Sequence, residues 1–138
     1  MPKKIFVTRE IPSRGPQLLR DRGYQVTVSS KDGVLTKEEL VNELKKESYE
    51  AVLCLLTDPI NAEIFDAAPN AKIFANYAVG FNNIDLPAAK ERGVTVTNTP
   101  GVLTDTVAEH TFGLLLTLAT RTAEGDKFLR AGKYHGWA

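Results

Sequence analysis

The sequence predicts an α/β fold in which helices cover a parallel sheet of five strands. Three observations point to this fold. Five short apolar runs alternate with helical patterns, a capping-box motif opens one helix, and glycines stand where other helices should end. Strand and helix alternate in this way in parallel sheets, because each parallel connection needs a crossover, usually a helix.

The candidate strands are the apolar runs at residues 5–7, 26–28, 51–56, 73–75 and 94–97. The run at 51–56 is continuously apolar, which predicts a strand covered on both faces. Right-handed crossovers between five strands favour the flavodoxin-like strand order 2-1-3-4-5, with helices on both faces. In such sheets ligands bind at the carboxyl ends of the strands, so the loops after these runs are the first places to look for a site.

Capping signals indicate where the helices between these strands begin and end. Thr36-Lys37-Glu38-Glu39 is a capping box. Asn61 and Asp85 are of the residue types that cap a helix N-terminus through a side-chain oxygen. Gly23 and Gly93 suit the left-handed position that commonly ends a helix.

After residue 100 the pattern changes. Thr106-Val107-Ala108-Glu109 matches a second capping box and predicts a long helix to about residue 121. This helix is apolar nearly all the way round, which predicts burial from several sides. An amphipathic segment at 123–131 follows, and the sequence stops one residue after Trp137, which we interpret as an interruption. We therefore expect a domain at 1–100 and a helical extension at 101–138.

Composition argues against several classes of function. The 138 residues suffice for one compact domain, and 17 basic residues balance 17 acidic ones, so no basic field exists to attract nucleic acid. Cys54 is the only cysteine, and its apolar neighbours predict a core thiol rather than a nucleophile. The most apolar stretch, 112–119, is far shorter than the roughly 20 residues that a bilayer requires. We expect a cytoplasmic protein with neither a membrane nor a nucleic acid as partner.

Neither a nucleotide-phosphate loop nor a metal site is predicted. No two of the ten glycines are two residues apart, so the sequence holds no G-x-G-x-x-G pattern. Cys54, His110 and His135 have no metal-ligand spacing. We expect His110 to lie on a helix surface or at an interface.

The informative segment is Asn76-Tyr77-Ala78-Val79-Gly80-Phe81-Asn82-Asn83-Ile84-Asp85, which should leave the fourth strand, turn at Gly80 and enter a helix. Successive backbone N–H groups in such a turn form an anion-binding concavity. The small side chains of Ala78 and Gly80 would let a ligand reach them. An ordinary strand-to-helix loop is the alternative interpretation.

Together with residues 92–105, this segment resembles the D-isomer-specific 2-hydroxyacid dehydrogenase family. The opening at 7–12 and the segment at 128–133 resemble its glyoxylate/hydroxypyruvate reductase branch. The resemblance covers essentially the whole chain and implies the N-terminal, substrate-side portion of such an enzyme. Asn82 stands where many members have Asp, a change we expect to be harmless at a turn.

The resemblance implies roles for five positions. The backbone of Ala78, Val79 and Gly80 would receive the substrate carboxylate, and Leu56 would line the pocket. Val79 and Val107 would touch the nicotinamide end of the cofactor. The family's catalytic Arg, Glu and His, and its glycine-rich loop, belong beyond residue 138, so no catalytic residue is expected within this sequence.

The resemblance also implies an activity. The complete enzyme would reduce 2-oxo acids such as glyoxylate or hydroxypyruvate to D-2-hydroxy acids with NAD or NADP. This chain alone, which would lack the cofactor domain, should be inactive and bind no cofactor. Residues 125–137 resemble the arm that packs against a partner subunit, and we expect a homodimer through residues 104–137.

A second class of function stays open, a stand-alone flavodoxin-like binding or signalling module without catalysis. A phosphoryl receiver would need an acidic pair after the first strand and a lysine after the fifth. Those places hold Thr8-Arg9-Glu10 and Asn98-Thr99-Pro100. Asp58 follows the third strand, where beside Pro59 it is expected to be a turn residue.

Overall fold

A computed structural model describes residues 2–137 and contains, within them, one five-stranded sheet and six helices. The strands are β1 (Lys4–Val7), β2 (Gln25–Val28), β3 (Ala51–Cys54), β4 (Ile73–Asn76) and β5 (Thr95–Thr97). The helices are α1 (Arg14–Asp21), α2 (Lys37–Lys46), α3 (Ala62–Ala67), α4 (Leu86–Glu91), α5 (Thr104–Ala119) and α6 (Thr122–Arg130). All strand pairs are parallel and the order is β2-β1-β3-β4-β5, which confirms the predicted topology.

The capping signals before residue 100 are confirmed. Thr36 Oγ1 accepts a hydrogen bond from the Glu39 N–H at 3.2 Å, and Glu39 Oε2 accepts one from the Thr36 N–H at 2.7 Å. Asn61 and Asp85 cap α3 and α4 through their side-chain oxygens. Gly23 follows α1 with φ of +85°, in the left-handed region that glycine adopts without strain. These interactions are local, which is why the sequence alone reveals them.

The main core lies where α2, α3 and α4 meet the sheet. Phe6, Val52 and Phe74, from three neighbouring strands, are fully buried there. Phe65 of α3 packs edge-on against Phe74, with ring centroids 4.9 Å apart and planes at 81°. Burying side chains of this size stabilises a fold by about 1.5–3 kcal/mol each. Leu40 of α2 belongs to the same cluster.

The strand β3 differs from its prediction in two respects. It ends at Cys54, two residues before the end of the apolar run, and Leu56 lies in the loop beyond it. Its burial also alternates: Val52 and Cys54 are fully buried, whereas Ala51 and Leu53 are only partly buried. The reason is that α2, α3 and α4 contribute to the core on one face, while α1 packs against β2 away from β3.

The chain divides into two compact units, Met1–Pro100 and Gly101–Ala138. In the second unit α5 starts at Thr104, two residues earlier than predicted, and its N-cap Leu103 makes no side-chain capping bond. The second capping box is therefore wrong, because Thr106 already lies inside the helix. No residue of α5 or α6 is buried, so the predicted burial of α5 from several sides is not met within the described chain. No helix within residues 2–137 is long and apolar enough to cross a membrane.

Limited trypsin digestion should cut the chain first at Arg121, Lys127 or Arg130 and leave the first unit intact. The physical reason is that α5 and α6 bury no side chain, so opening them costs little, whereas the first unit contains a continuous core. Mass spectrometry of the early fragments measures this. First cuts inside residues 51–96 would contradict the assignment of the core.

Candidate functional site

The loop after β4 is held by hydrogen bonds to three consecutive carbonyl groups. The Thr99 N–H donates to the Ala78 carbonyl at 2.9 Å. Asn98 Nδ2 donates to the Val79 carbonyl at 2.8 Å, and Asn76 Nδ2 donates to the Gly80 carbonyl at 2.8 Å. Two of the donors follow β5 and the third ends β4, so the sheet itself fixes where the loop lies.

Holding these carbonyls also orients N–H groups. In a trans peptide the C=O of one residue and the N–H of the next point in opposite directions, and no cis peptide occurs in residues 2–137. Each of the N–H groups of Val79, Gly80 and Phe81 therefore points away from the donor that is bound to the carbonyl of its own peptide. None of them has a hydrogen-bond acceptor within the described part of the chain. These N–H groups are available to an incoming acceptor.

Gly80 matters here for its lack of a side chain rather than for an unusual backbone conformation. Its φ is not in the left-handed region, and a methyl group placed on it would lie 3.3 Å from Asn82 Oδ1. The predicted turn at Gly80 is wrong. The chain reverses two residues later, where the Ile84 N–H donates to the Phe81 carbonyl at 3.0 Å around Asn82 and Asn83. Asn82 is exposed at this turn.

Leu56, for which the resemblance implied a place in the pocket lining, lies beside this loop. The same methyl group on Gly80 would be 3.7 Å from Leu56 Cδ1, and half of the Leu56 side chain is exposed. Leu56 sits in a short turn closed by two bonds. The Asp58 N–H donates to the Leu55 carbonyl at 3.0 Å, and the Leu55 N–H donates to Asp58 Oδ2 at 2.8 Å.

Asp58 is a buried residue that links two loops. It is 3% exposed, and its Oδ2 also accepts a 2.6 Å hydrogen bond from the hydroxyl of Thr8, itself buried at the end of β1. The expectation of an ordinary turn residue is incomplete, because Asp58 joins the ends of β1 and β3. The sequence did contain a signal: Thr8 follows the first predicted strand and Asp58 follows the third, and these two strands are neighbours in the predicted order.

Asn83 joins the two loops. Its Nδ2 donates to the carbonyls of Leu55 and Asp58, both at 3.1 Å, while its Oδ1 accepts from Asn76 Nδ2 at 3.1 Å. Asn76 is 2% exposed. The side chains that shape the loop with Leu56 and the loop with Gly80 therefore belong to one polar network, which the sequence analysis did not find.

Cys54 lies under this network. Its thiol is 3.6 Å from Asn76 Oδ1 and 3.7 Å from the Ala75 carbonyl. Burial, with a smaller contribution from the negative charge of Asp58, raises the pKa of the Cys54 thiol to about 12. A neutral thiol is a weak nucleophile, so the prediction of a core thiol is confirmed.

The remaining site residues from the sequence fall in two places. Val79 is 40% exposed in the first unit, and Val107 is 56% exposed on α5 in the second unit. His110 is also exposed on α5. The residues implied for the substrate, Ala78 to Gly80 for its carboxylate and Leu56 for the pocket lining, are brought together within the first unit.

The loop combines polar and apolar groups. Exposed residues carry the three N–H donors, Gly80 lies against the apolar Leu56 side chain, and the Arg9 guanidinium lies at the same edge, with Nη2 3.5 Å from Thr57 Oγ1. Such a surface suits a small carboxylate with a short organic group. A cavity of about 790 Å³ lies between the loops after β1 and β2, but none of the residues just described except Arg9 lines it.

Comparison with known proteins identifies the family of this chain. Residues 5–131 match the model of the D-isomer specific 2-hydroxyacid dehydrogenase, catalytic domain. A glyoxylate reductase of Thermofilum pendens is 48% identical over 131 residues, covering 95% of this chain and 38% of that protein. A glyoxylate reductase of Pyrococcus furiosus is 41% identical over 134 residues, covering 97% of this chain and 39% of that protein.

Solved structures give the same result. A crystal structure of a protein from Thermus thermophilus matches with a TM-score of 0.91 and 39% identity, over 98% of this chain and 42% of that chain. A D-lactate dehydrogenase of Aquifex aeolicus, complexed with NAD and lactic acid, matches with a TM-score of 0.74 and 25% identity, over 99% of this chain and 39% of that one. The chain belongs to the D-isomer-specific 2-hydroxyacid dehydrogenase family and corresponds to its N-terminal portion. It spans about two fifths of the length of these relatives.

Two substitutions at Asp58 should separate its hydrogen bonds from its charge. Asp58→Ala leaves the buried Thr8 hydroxyl and the Leu55 N–H without their acceptor, so the free energy of unfolding should fall by about 1–3 kcal/mol. Asp58→Asn retains an oxygen at the same place, so its free energy of unfolding should fall clearly less. Urea unfolding of both variants beside the parent measures the difference. Equal losses of unfolding free energy in the two variants would show that the stability provided by Asp58 does not come from the two hydrogen bonds.

Proposed function

We propose that this chain is the substrate-side part of an NAD- or NADP-dependent oxidoreductase that reduces small 2-oxo acids to D-2-hydroxy acids. Residues 1–100 form the substrate-side domain, and residues 101–138 form the crossing helix and dimerisation arm that belong with a cofactor domain. Glyoxylate and hydroxypyruvate are the substrates we propose, because the relatives described above include glyoxylate reductases.

One observation carries the proposal: the N–H groups of Val79, Gly80 and Phe81 have no acceptor within residues 2–137, and they belong to exposed residues of a loop that lies against Leu56 at Gly80. A carboxylate accepts several hydrogen bonds at once, and charged acceptors form the stronger bonds. The resemblance implied this role for Ala78, Val79 and Gly80. The bonds to the three carbonyls orient the N–H groups of Val79, Gly80 and Phe81, so Phe81 joins the set that we propose.

The mechanism assigns binding and orientation to this chain. Reduction of a 2-oxo acid adds hydride to the carbonyl carbon and a proton to its oxygen. The outward N–H groups hold the carboxylate, and Leu56 covers the apolar side of the substrate. Fixing the carboxylate of so small a molecule restricts the orientations in which its carbonyl carbon can face the hydride donor.

The residues present do not fit a dinucleotide by themselves. A pyrophosphate is bound by closely spaced glycines at a helix N-terminus, and no two glycines of this sequence are two residues apart. In the proposed complete enzyme, Val79 and Val107 would touch only the nicotinamide end. Hydride donation and proton transfer are therefore assigned to no residue of this chain.

The 138-residue chain alone should show no reduction of glyoxylate or hydroxypyruvate by NADH or NADPH. No residue of the sequence is assigned to proton transfer, and no glycine-rich loop is present to hold the cofactor. Loss of NADH absorbance with glyoxylate in large excess measures turnover, and Gly80→Pro serves as the background control. Turnover above that control would contradict the proposal, as would calorimetric binding of NADH tighter than millimolar.

The chain should also form a homodimer through residues 104–137. Phe112, Leu115 and Leu116 of α5 are 66%, 57% and 58% exposed, and Leu118 is 80% exposed. Contiguous exposed apolar side chains usually mark interfaces. Light scattering of the intact chain, beside a version that stops at Pro100, measures the association. A monomeric intact chain at tens of micromolar, or equal dimerisation of both versions, would contradict this assignment.

A further inference from the structure

We propose that Asn98 and Asn76 are positioning residues of the carboxylate site, holding the peptide planes whose N–H groups meet the substrate. The proposal rests on the proposed function, since it names the residues that prepare the site for an anion. Neither side chain is assigned to touch the substrate. Each acts through a backbone carbonyl of the loop after β4.

Asn98 controls the peptide between Val79 and Gly80. Its Nδ2 donates to the Val79 carbonyl at 2.8 Å, so the Gly80 N–H in the same peptide is turned the other way. Asn98 follows β5, whose last residue, Thr97, is paired in register with Ala75 of β4. The donor therefore directly follows a paired sheet strand, and sites supported by rigid elements hold their geometry better than sites on loops alone.

Asn76 controls the next peptide, between Gly80 and Phe81. It is the last residue of β4, it is 2% exposed, and its Nδ2 donates to the Gly80 carbonyl at 2.8 Å. Its orientation is fixed in turn by Asn83, which accepts from Nδ2 at 3.1 Å and donates to Oδ1 at 3.4 Å. Asn83 also holds the turn that carries Leu56. Asn76 thus couples the N–H donors to the apolar wall.

An amide side chain suits both positions because it donates without carrying charge. Aspartate at residue 98 has nearly the same size but no N–H, and it would place a negative charge near the incoming carboxylate. Alanine would remove the donor without adding charge. Asn98 is only partly buried and lies outside the hydrophobic core, so its substitution spares the packing of the unit.

The test is a nuclear magnetic resonance titration of the 138-residue chain with oxamate, an unreactive analogue of a 2-oxo acid. In the parent, the amide signals of Val79, Gly80 and Phe81 should shift along one saturable curve. Asn98→Ala should weaken oxamate binding about fivefold to tenfold, and Asn98→Asp should weaken the binding further. Asn70→Ala is the matched control, since Asn70 Nδ2 makes a comparable 2.9 Å bond to Ser48 Oγ on an exposed surface. It should leave binding unchanged.

The outcomes separate the two proposals. If oxamate shifts none of the three amides in the parent, the carboxylate site itself is refuted. If the parent binds and both Asn98 variants bind within twofold of it, the positioning role is overturned while the site stands. Thermal unfolding of the same samples excludes a merely structural effect, because such an effect lowers the unfolding temperature and leaves the oxamate affinity of the folded chain unchanged. Asn76→Asp, judged by the same two readouts, extends the test to the buried position.

Discussion

The hydrogen bonds from the ends of β4 and β5 to the carbonyls of residues 78–80 are the constraint on which the account of this chain depends. A loop left to itself would satisfy its polar groups with water in many arrangements. Here Asn76, Asn98 and the Thr99 N–H occupy three consecutive carbonyls. The peptide planes are thereby set, and with them the N–H groups on their other side. The recognition chemistry proposed for the loop follows from that single arrangement.

The same edge of the sheet shows why the strand order matters. Parallel strands bring their carboxyl ends together, so residues far apart in sequence meet there. Thr8 and Asp58 are separated by 50 positions yet share a 2.6 Å hydrogen bond. Asn83 then ties the turn after β3 to the loop after β4. The apolar and polar parts of the site are built on one network rather than on separate loops.

Sequence reasoning succeeded where the determining interactions are local and failed where they are distant. The caps at Thr36, Asn61 and Asp85 were predictable because each oxygen bonds a backbone N–H three residues on. The pattern at Thr106 has the same residue types but lies inside α5, since the helix begins at Thr104. A capping motif identifies a helix start only where the preceding backbone leaves the helix.

Sequence reasoning singled out the loop after β4 but not the bonds that hold it. The glycine and small side chains of the loop pointed to accessible N–H groups, and the family resemblance pointed to Leu56. The amide network could not be read from the sequence, because asparagine is common in turns and its partners here come from other strands. The reversal at Asn82 and Asn83 instead of Gly80 has the same origin: the turn closed by the 3.0 Å bond from the Ile84 N–H to the Phe81 carbonyl contains Asn83, whose side chain binds the neighbouring loop.

A crystal structure of the chain grown with oxamate tests the central claim most directly. The account predicts a carboxylate oxygen within about 3 Å of the backbone nitrogens of Val79, Gly80 or Phe81, with the Asn98 and Asn76 bonds to the loop intact. Oxamate bound instead in the cavity between the loops after β1 and β2, beside Arg9 and Arg20, would contradict it.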